Sequence, residues 1–220
     1  MDKQEKSISI EIYSDVVCPW CYVGKRRLER ALSQLPGVPT KMTWRPFQLN
    51  PTMPTEGTDR VAYLEAKFGS LDAFRRLEEQ VIAAGISEQI PFAFEKIKKT
   101  PNTFLAHRLI WYAGQQGRQD AVVNALFKGY FEQGVDIGLP EALSALAESA
   151  GLDAARVLQT NEGTEGVKVE EAAGHRLGIR AVPYFVVNQR YGISGAQPAE
   201  VFVGAIEKVA QQPEGQLSRK

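Results

Sequence analysis

Two cysteines, Cys18 and Cys21, are the whole thiol inventory of this 220-residue chain, and they stand together as Cys18-Pro19-Trp20-Cys21. Thiols three positions apart can close into a small disulfide ring and open again, so the spacing points to a dithiol/disulfide redox centre. With no third cysteine, neither can staple a distant part of the chain. Other chemistries fare worse. A zinc site needs two further ligands at suitable spacing, and the two histidines, His107 and His175, lie far apart in sequence, so no metal is expected. No glycine-rich loop stands between a strand and a helix as phosphate binding requires.

The pair needs elements to hold it, and the flanking patterns supply them. Ile8, Ile10 and Ile12 alternate with Ser9, Glu11 and Tyr13, the period of a half-buried strand, broken at Ser14-Asp15. After Cys21, Leu28, Ala31, Leu32 and Leu35 form a helical stripe closed by Pro36-Gly37. Residues 40–47, with Met42 and Trp44 on one face, predict a second strand. The cysteines therefore sit at the N-terminal end of a helix inside a β-α-β unit.

From Asn50 to about Gly166 nearly every periodic segment is helical. Leu71, Phe74, Leu77 and Val81 predict a helix capped by Ser70; Thr100-Pro101 opens another through Leu105, Leu109 and Tyr112. Val122, Leu126 and Tyr130 mark a third, and Leu143, Leu146 and Ala147 a fourth, begun by Pro140 and stopped by Gly151. Strand signals return at residues 184–187 and 191–194, joined by Asn188-Gln189-Arg190, and a helix from Pro198 carries Val201, Phe202, Ala205, Ile206 and Val209 on one side. The terminal strands need partners, and one sheet built from both ends of the chain is the simplest solution. The expected division is a discontinuous domain of residues 1–54 and 167–220 with an all-helical insertion over 55–166, and a frayed tail after Gln211.

The composition is 44% hydrophobic and 24% charged, ordinary for a globular protein, and Lys plus Arg (26) balance Asp plus Glu (26). A chain without net charge has no field to gather polyanions, so nucleic acid is not an expected partner. The start, Met1 to Lys6, is polar and runs into the first strand rather than an apolar signal core, and no run reaches the length of a membrane span. A cytoplasmic setting, with thiols kept reduced and no membrane association, is the expectation.

Several separated segments carry a resemblance: residues 14–21 (Ser-Asp-Val-Val-Cys-Pro-Trp-Cys), Asn102-Thr103 with Ala106-His107-Arg108, residues 178–183 ending in Val182-Pro183, and Ser194-Gly195-Ala196-Gln197. In this order they resemble the thioredoxin-like fold in its DsbA-like form, and more narrowly the FrnE-like branch of that oxidoreductase family. The resemblance implies an α/β fold, thioredoxin-like with an inserted helical domain. It also implies a cis bond at Val182-Pro183 beside the nucleophile, leaving the Val182 main chain open to pair with an extended substrate. A trans-proline opening an edge strand is the competing reading of those two residues.

A thiolate, not a thiol, attacks disulfides, and a helix N-terminus favours negative sulfur. Cys18 is accordingly read as the nucleophile and Cys21 as the resolving thiol, with Pro19 and Trp20 tuning the couple and Trp20 shaping the docking surface. Glu11 is a candidate for the buried carboxylate that takes the Cys21 proton in thioredoxin-like relatives, against a solvated strand residue. Asp15 could do the same, against local turn hydrogen bonding. His107 could overhang the site as acid/base or ligand, against a helix histidine without chemistry. His175 is expected to be exposed, and Lys96, Lys98 and Lys99 to form a solvated face.

The leading function is a thiol-disulfide oxidoreductase or isomerase acting on protein or small-molecule disulfides and thiols. No bound cofactor is expected beyond the dithiol itself, with glutathione as a possible co-substrate. One alternative is a glutathione-dependent isomerase or kappa-class-like glutathione transferase, although such relatives typically carry serine at the position of Cys18. A second is a redox-inert binding or chaperone module that uses the helical insert. Oligomeric state and direction of electron flow are not legible at this level.

Overall fold

In the computed structural model, which describes residues 7–211, the alternating isoleucines form one of the two inner strands of a four-stranded sheet. The polar start and the tail after Gln211 lie outside the described residues. Strand β1 (Ile8–Ser14) pairs in parallel with β2 (Thr40–Pro46) and antiparallel with β5 (Tyr184–Val187), which pairs antiparallel with β6 (Tyr191–Ser194). The sheet order β2-β1-β5-β6 thus joins the two ends of the chain.

Side-chain parity divides the sheet into two faces. Ile10, Ile12, Phe185 and Val187 are buried with helix α1 (Pro19–Ser33) and the closing helix α9 (Ala199–Ala210). There Phe185 meets Phe202 edge to face at 4.7 Å between centroids, and burying each such ring contributes roughly 1.5–3 kcal/mol. On α9 it is Ala199, Phe202, Ile206 and Val209 that turn inward, whereas Val201 is 43% exposed, because it falls outside that narrower stripe. On the opposite face, Tyr13, Phe47 and Ile179 form a second, smaller cluster with Tyr184 and Val186.

The insert contains α2 (Arg60–Phe68), α3 (Leu71–Ser87), α4 (Phe104–Gln115), α5 (Gln119–Gln133), α6 (Pro140–Ser149) and α7 (Ala155–Gln159). It is almost wholly helical; a two-residue ladder between β3 (Thr58–Asp59) and β4 (Lys99–Thr100) ties its first hairpin of helices together. Thr100-Pro101 therefore ends a strand and does not open a helix. Asn102 holds the intervening turn, its Oδ1 accepting the Phe104 N–H at 2.9 Å while its Nδ2 donates to the Met53 carbonyl at 2.6 Å, and the helix begins only after Thr103.

The boundary expected between residues 166 and 167 lies at a helix, α8 (Thr164–Arg176), which packs on both β2 and α4 and so joins sheet to insert. The two units are further locked through α1. Tyr22 stacks on Phe127 at 5.0 Å and 9° and donates to Glu132 at 2.7 Å. Buried Lys25 reaches Asp120, whose other oxygen accepts the Trp44 indole N–H at 3.0 Å.

Candidate active site

Strand β1 ends at Ser14, and the chain turns so that the Cys18 N–H reaches the Asp15 carbonyl at 3.0 Å. Cys18 then serves as the N-cap residue of α1, in extended conformation (φ −92°, ψ 109°), with Pro19 in the first turn, where its missing N–H costs no helical bond. Its carbonyl starts the helix by accepting from the Cys21 N–H at 3.0 Å. The motif's order thus places both sulfurs within one helical turn, and the two side chains contact each other as free thiols.

The two thiols have different surroundings. Cys18 is 5% exposed, opens onto a cavity of 260 Å3 and places Sγ 3.6 Å from the Val182 carbonyl. Cys21 is 1% exposed and does not line that cavity. Burial pushes the Cys21 thiol well above the ordinary value of 9.0, and the neighbouring Cys18 adds to the effect; Ser14 and the Asp15 backbone oppose it. In the reduced state Cys21 therefore keeps its proton at neutral pH.

The Val182–Pro183 peptide bond is cis, with Pro183 buried and its carbonyl accepting from Gly195 at 2.8 Å. The β5 ladder begins one residue later, at Tyr184, which leaves the Val182 main chain beyond the last strand pair and against Cys18. Gly24 permits this approach: a Cβ there would meet Pro183 Cγ and Phe185 Cζ at 3.1 Å each. Trp20, 36% exposed, stands on the cavity wall beside Cys18 and Pro19.

Asp15 and His107 are brought together although they lie in different units. The His107 Nε2 is 3.3 Å from Asp15 Oδ1, both side chains are buried, and the pair lies outside good hydrogen-bond geometry, so neither atom has another partner among the described residues. The remaining Asp15 oxygen accepts the Leu49 N–H at 2.7 Å. Asp15 reaches the cavity, and His107 sits one layer behind it.

Glu11 is placed elsewhere. It receives Nε and Nη2 of Arg45 at 2.9 and 2.7 Å, and Arg45 also binds Glu170 of α8 at 2.7 Å. Glu11 thus lies on the α8 face of the sheet while Cys21 lies on the α1 face, so the proton role suggested for Glu11 is corrected: the sheet separates the two groups. His175 is exposed and its ring lies 5.2 Å from Phe47, remote from the sulfurs. Lys96, Lys98 and Lys99 are exposed.

The sequence reading missed the far wall of the cavity. Arg60, Tyr63, Leu64, Lys67 and Phe68 all line it from α2. The signal available was their i, i+3, i+4, i+7, i+8 recurrence after the capping Asp59, whose side chain accepts from the Ala62 N–H at 3.0 Å.

Two thiols in contact at a helix start beside a cis-proline, with helices inserted into a β2-β1-β5-β6 sheet, have counterparts among known proteins. The model of the DSBA-like thioredoxin domain matches residues 9–207. The chain belongs to that family. A probable DsbA oxidoreductase of Streptomyces coelicolor is 33% identical, with 96% of this chain and 93% of that one superposed at a TM-score of 0.86. An uncharacterized protein of Bacillus subtilis, YwbO, is 28% identical over 204 residues, 91% of this chain and 96% of its own. The cytosolic disulfide reductase DsbM of Pseudomonas aeruginosa, in a structure with GSH, shares the fold at 14% identity and a TM-score of 0.62, over 93% of this chain and 100% of its own.

As a DSBA-like protein the chain is a disulfide oxidoreductase with a thioredoxin-like sheet. Among the described residues no His, Cys, Asp and Glu cluster could hold a metal ion, and no helix is long and apolar enough to cross a membrane.

The thiol asymmetry predicts a pH effect for the reduced protein. Below pH 9 the folded and unfolded chains both hold the Cys21 proton; above it the unfolded chain releases the proton and the folded chain keeps it, so stability falls as pH rises. The loss approaches ~1.4 kcal/mol per pH unit. Buried Tyr22 and Tyr130, both also raised, act in the same sense above pH 10. Urea titrations at pH 8 and pH 10 under reductant are expected to show the drop, and Cys21→Ser to diminish it. An unchanged midpoint in the wild type refutes the assignment.

Proposed function

We propose that this DSBA-like protein exchanges disulfides through Cys18 and Cys21, with Cys18 as the attacking thiolate and Cys21 as the resolving thiol. Cys18 displaces one sulfur of the substrate disulfide and forms a mixed disulfide; Cys21 then attacks Cys18 Sγ, closes the ring and releases the second substrate thiol. The substrate takes up two electrons and the protein dithiol loses them. Run backwards, the same steps oxidise a substrate dithiol. The observation that carries this reading is the unequal pair of thiols: Cys18 opens on the cavity and Cys21 lies behind it, protonated until resolution.

The Val182 main chain, outside the strand ladder and against Cys18, is suited to pair with an extended substrate, and Trp20 to cover its flank. Asp15, with His107 behind it, is the carboxylate placed to accept the Cys21 proton, since its backbone already touches that thiol. The substrates are thiol- or disulfide-containing proteins or small molecules, with glutathione as a co-substrate. We place the chain in the FrnE-like branch and in the reducing cytoplasm, where reduction or isomerisation outweighs net oxidation.

The test follows insulin reduction by dithiothreitol, with and without the protein. Wild type is expected to shorten the lag before precipitation. If it matches the no-protein control yet suppresses aggregation of a cysteine-free client, a redox-inert binding module is the better reading. Full turnover of an aromatic glutathione substrate by Cys21→Ser would favour the glutathione-dependent isomerase.

A further inference from the structure

Helix α2 presents a whole face to the cavity beside Cys18: Arg60, Tyr63, Leu64, Lys67 and Phe68. A stripe with this period ordinarily packs an apolar face on a core. Here it borders open volume, and two of its five members are cations. From α3, Phe74, Leu77 and Val81 face the same space, with one acid, Glu78.

The cations are differently held. The Arg60 guanidinium lies 5.5 Å from the centroids of both Phe74 and Phe94, a mostly buried and oriented charge. Its contact with Glu78 is long, 3.4 Å, and burial holds the Glu78 carboxyl above its ordinary value while Arg60 opposes the shift. Lys67 donates to the Tyr63 hydroxyl at 3.0 Å and rests over the rings of Tyr63 and Phe68. No carboxylate pairs with it among the described residues. The cavity is thus an apolar, aromatic-walled space with a reactive sulfur and Asp15 on one wall, the Arg60–Glu78 pair on another, and Lys67 as its cation without a carboxylate partner among the described residues.

We infer that this cavity selects a small disulfide whose apolar or aromatic arm carries an anionic group, the arm lying among the rings and the anion on Lys67 and Arg60. A volume of 260 Å3 suits a ring-sized arm. The inference rests on the thiol–disulfide reading above and names its substrate class. With a symmetric disulfide RS–SR, Cys18 thiolate attacks one sulfur, the S–S bond breaks and RS⁻ departs. Cys21 gives its proton to Asp15 and attacks Cys18 Sγ, and a second RS⁻ departs. The substrate gains two electrons and the protein ends as the Cys18–Cys21 disulfide.

The experiment mixes reduced protein with either 5,5′-dithiobis(2-nitrobenzoate), an aromatic disulfide bearing carboxylates, or the neutral 4,4′-dithiodipyridine, and follows the released thiolate by stopped-flow absorbance. The readout is the ratio of the carboxylate rate to the neutral rate, compared between variants. Lys67→Gln with Arg60→Gln is expected to lower the ratio about tenfold, the scale of one partly solvated charge-assisted contact. Arg60→Lys is expected to keep most of it, Glu78→Gln to raise it, and added salt to lower it in wild type. An unchanged ratio in exposed-site Lys67→Gln and in the double variant, with the neutral probe still reacting, overturns the anion site and leaves the redox reading standing. If neither probe oxidises the wild-type dithiol, the redox reading itself falls.

Discussion

Cys18→Ser is expected to remove disulfide exchange almost completely, with the catalysed rate of insulin reduction falling about a thousandfold or more, to the dithiothreitol background. A serine hydroxyl does not ionise near neutral pH, and no second thiol can take over, because Cys21 is buried off the cavity and holds its proton. Cys21→Ser is expected to behave differently. Cys18 still opens onto the cavity and still attacks, but the mixed disulfide has no internal thiol to resolve it. Intact mass under non-reducing conditions should therefore show one substrate thiol attached to Cys21→Ser, removable by dithiothreitol, and none attached to Cys18→Ser. Retention of a tenth of wild-type activity by Cys18→Ser, or adducts on Cys21 in that variant, would reverse the assigned roles.

The second large effect is on stability. Arg108 lies buried on α4, and its guanidinium binds three main-chain carbonyls across the turn that joins α7 to α8: Val157 at 2.7 Å, Glu162 at 2.9 Å, and Thr160. Burial lowers its pKa, and Glu162 is the one charged group that offsets this. The side chain acts as a cross-brace for a segment with little regular structure of its own. Arg108→Ala removes three charge-assisted bonds and strands the carbonyls, an expected cost of about 3 kcal/mol, or a fall of about 10 °C in melting temperature. Lysine cannot reproduce the fork, so Arg108→Lys should recover less than half. Denaturant melts of the reduced proteins decide it: a cost under about 1 kcal/mol for Arg108→Ala would mean that water replaces the guanidinium without penalty.

Where the sequence was legible, local periodicity coincided with tertiary demand. The alternating isoleucines, the stripe after Cys21 and the strands on either side of Asn188-Gln189 are patterns that each local segment must satisfy whatever surrounds it. Asn188 and Gln189 indeed take positive φ, 50° and 57°, as a tight hairpin turn requires. Thr100-Pro101 misled because an Asx turn at Asn102, anchored on Met53 from 49 residues away, postponed the helix. Val201 misled because a helix against one sheet buries a narrower stripe than the apolar positions suggest. The displacement of Glu11 was readable in principle. It alternates with Ile10 and Ile12, and α1 has to pack on the isoleucine side, so parity already places it on the far face from Cys21.

By itself the sequence determined the reagent and its support: one dithiol, at the start of one helix, behind one strand. These follow from covalent spacing and from periods that a short segment carries within itself. Only the tertiary structure decided which thiol is open, which is sealed, that Asp15 faces His107, and that α2 closes the cavity with Arg60 and Lys67. Those outcomes depend on burial and on distances between residues remote in sequence. Such distances are set by how the insert packs onto the sheet and the start of α1, a property no single stretch of the chain contains.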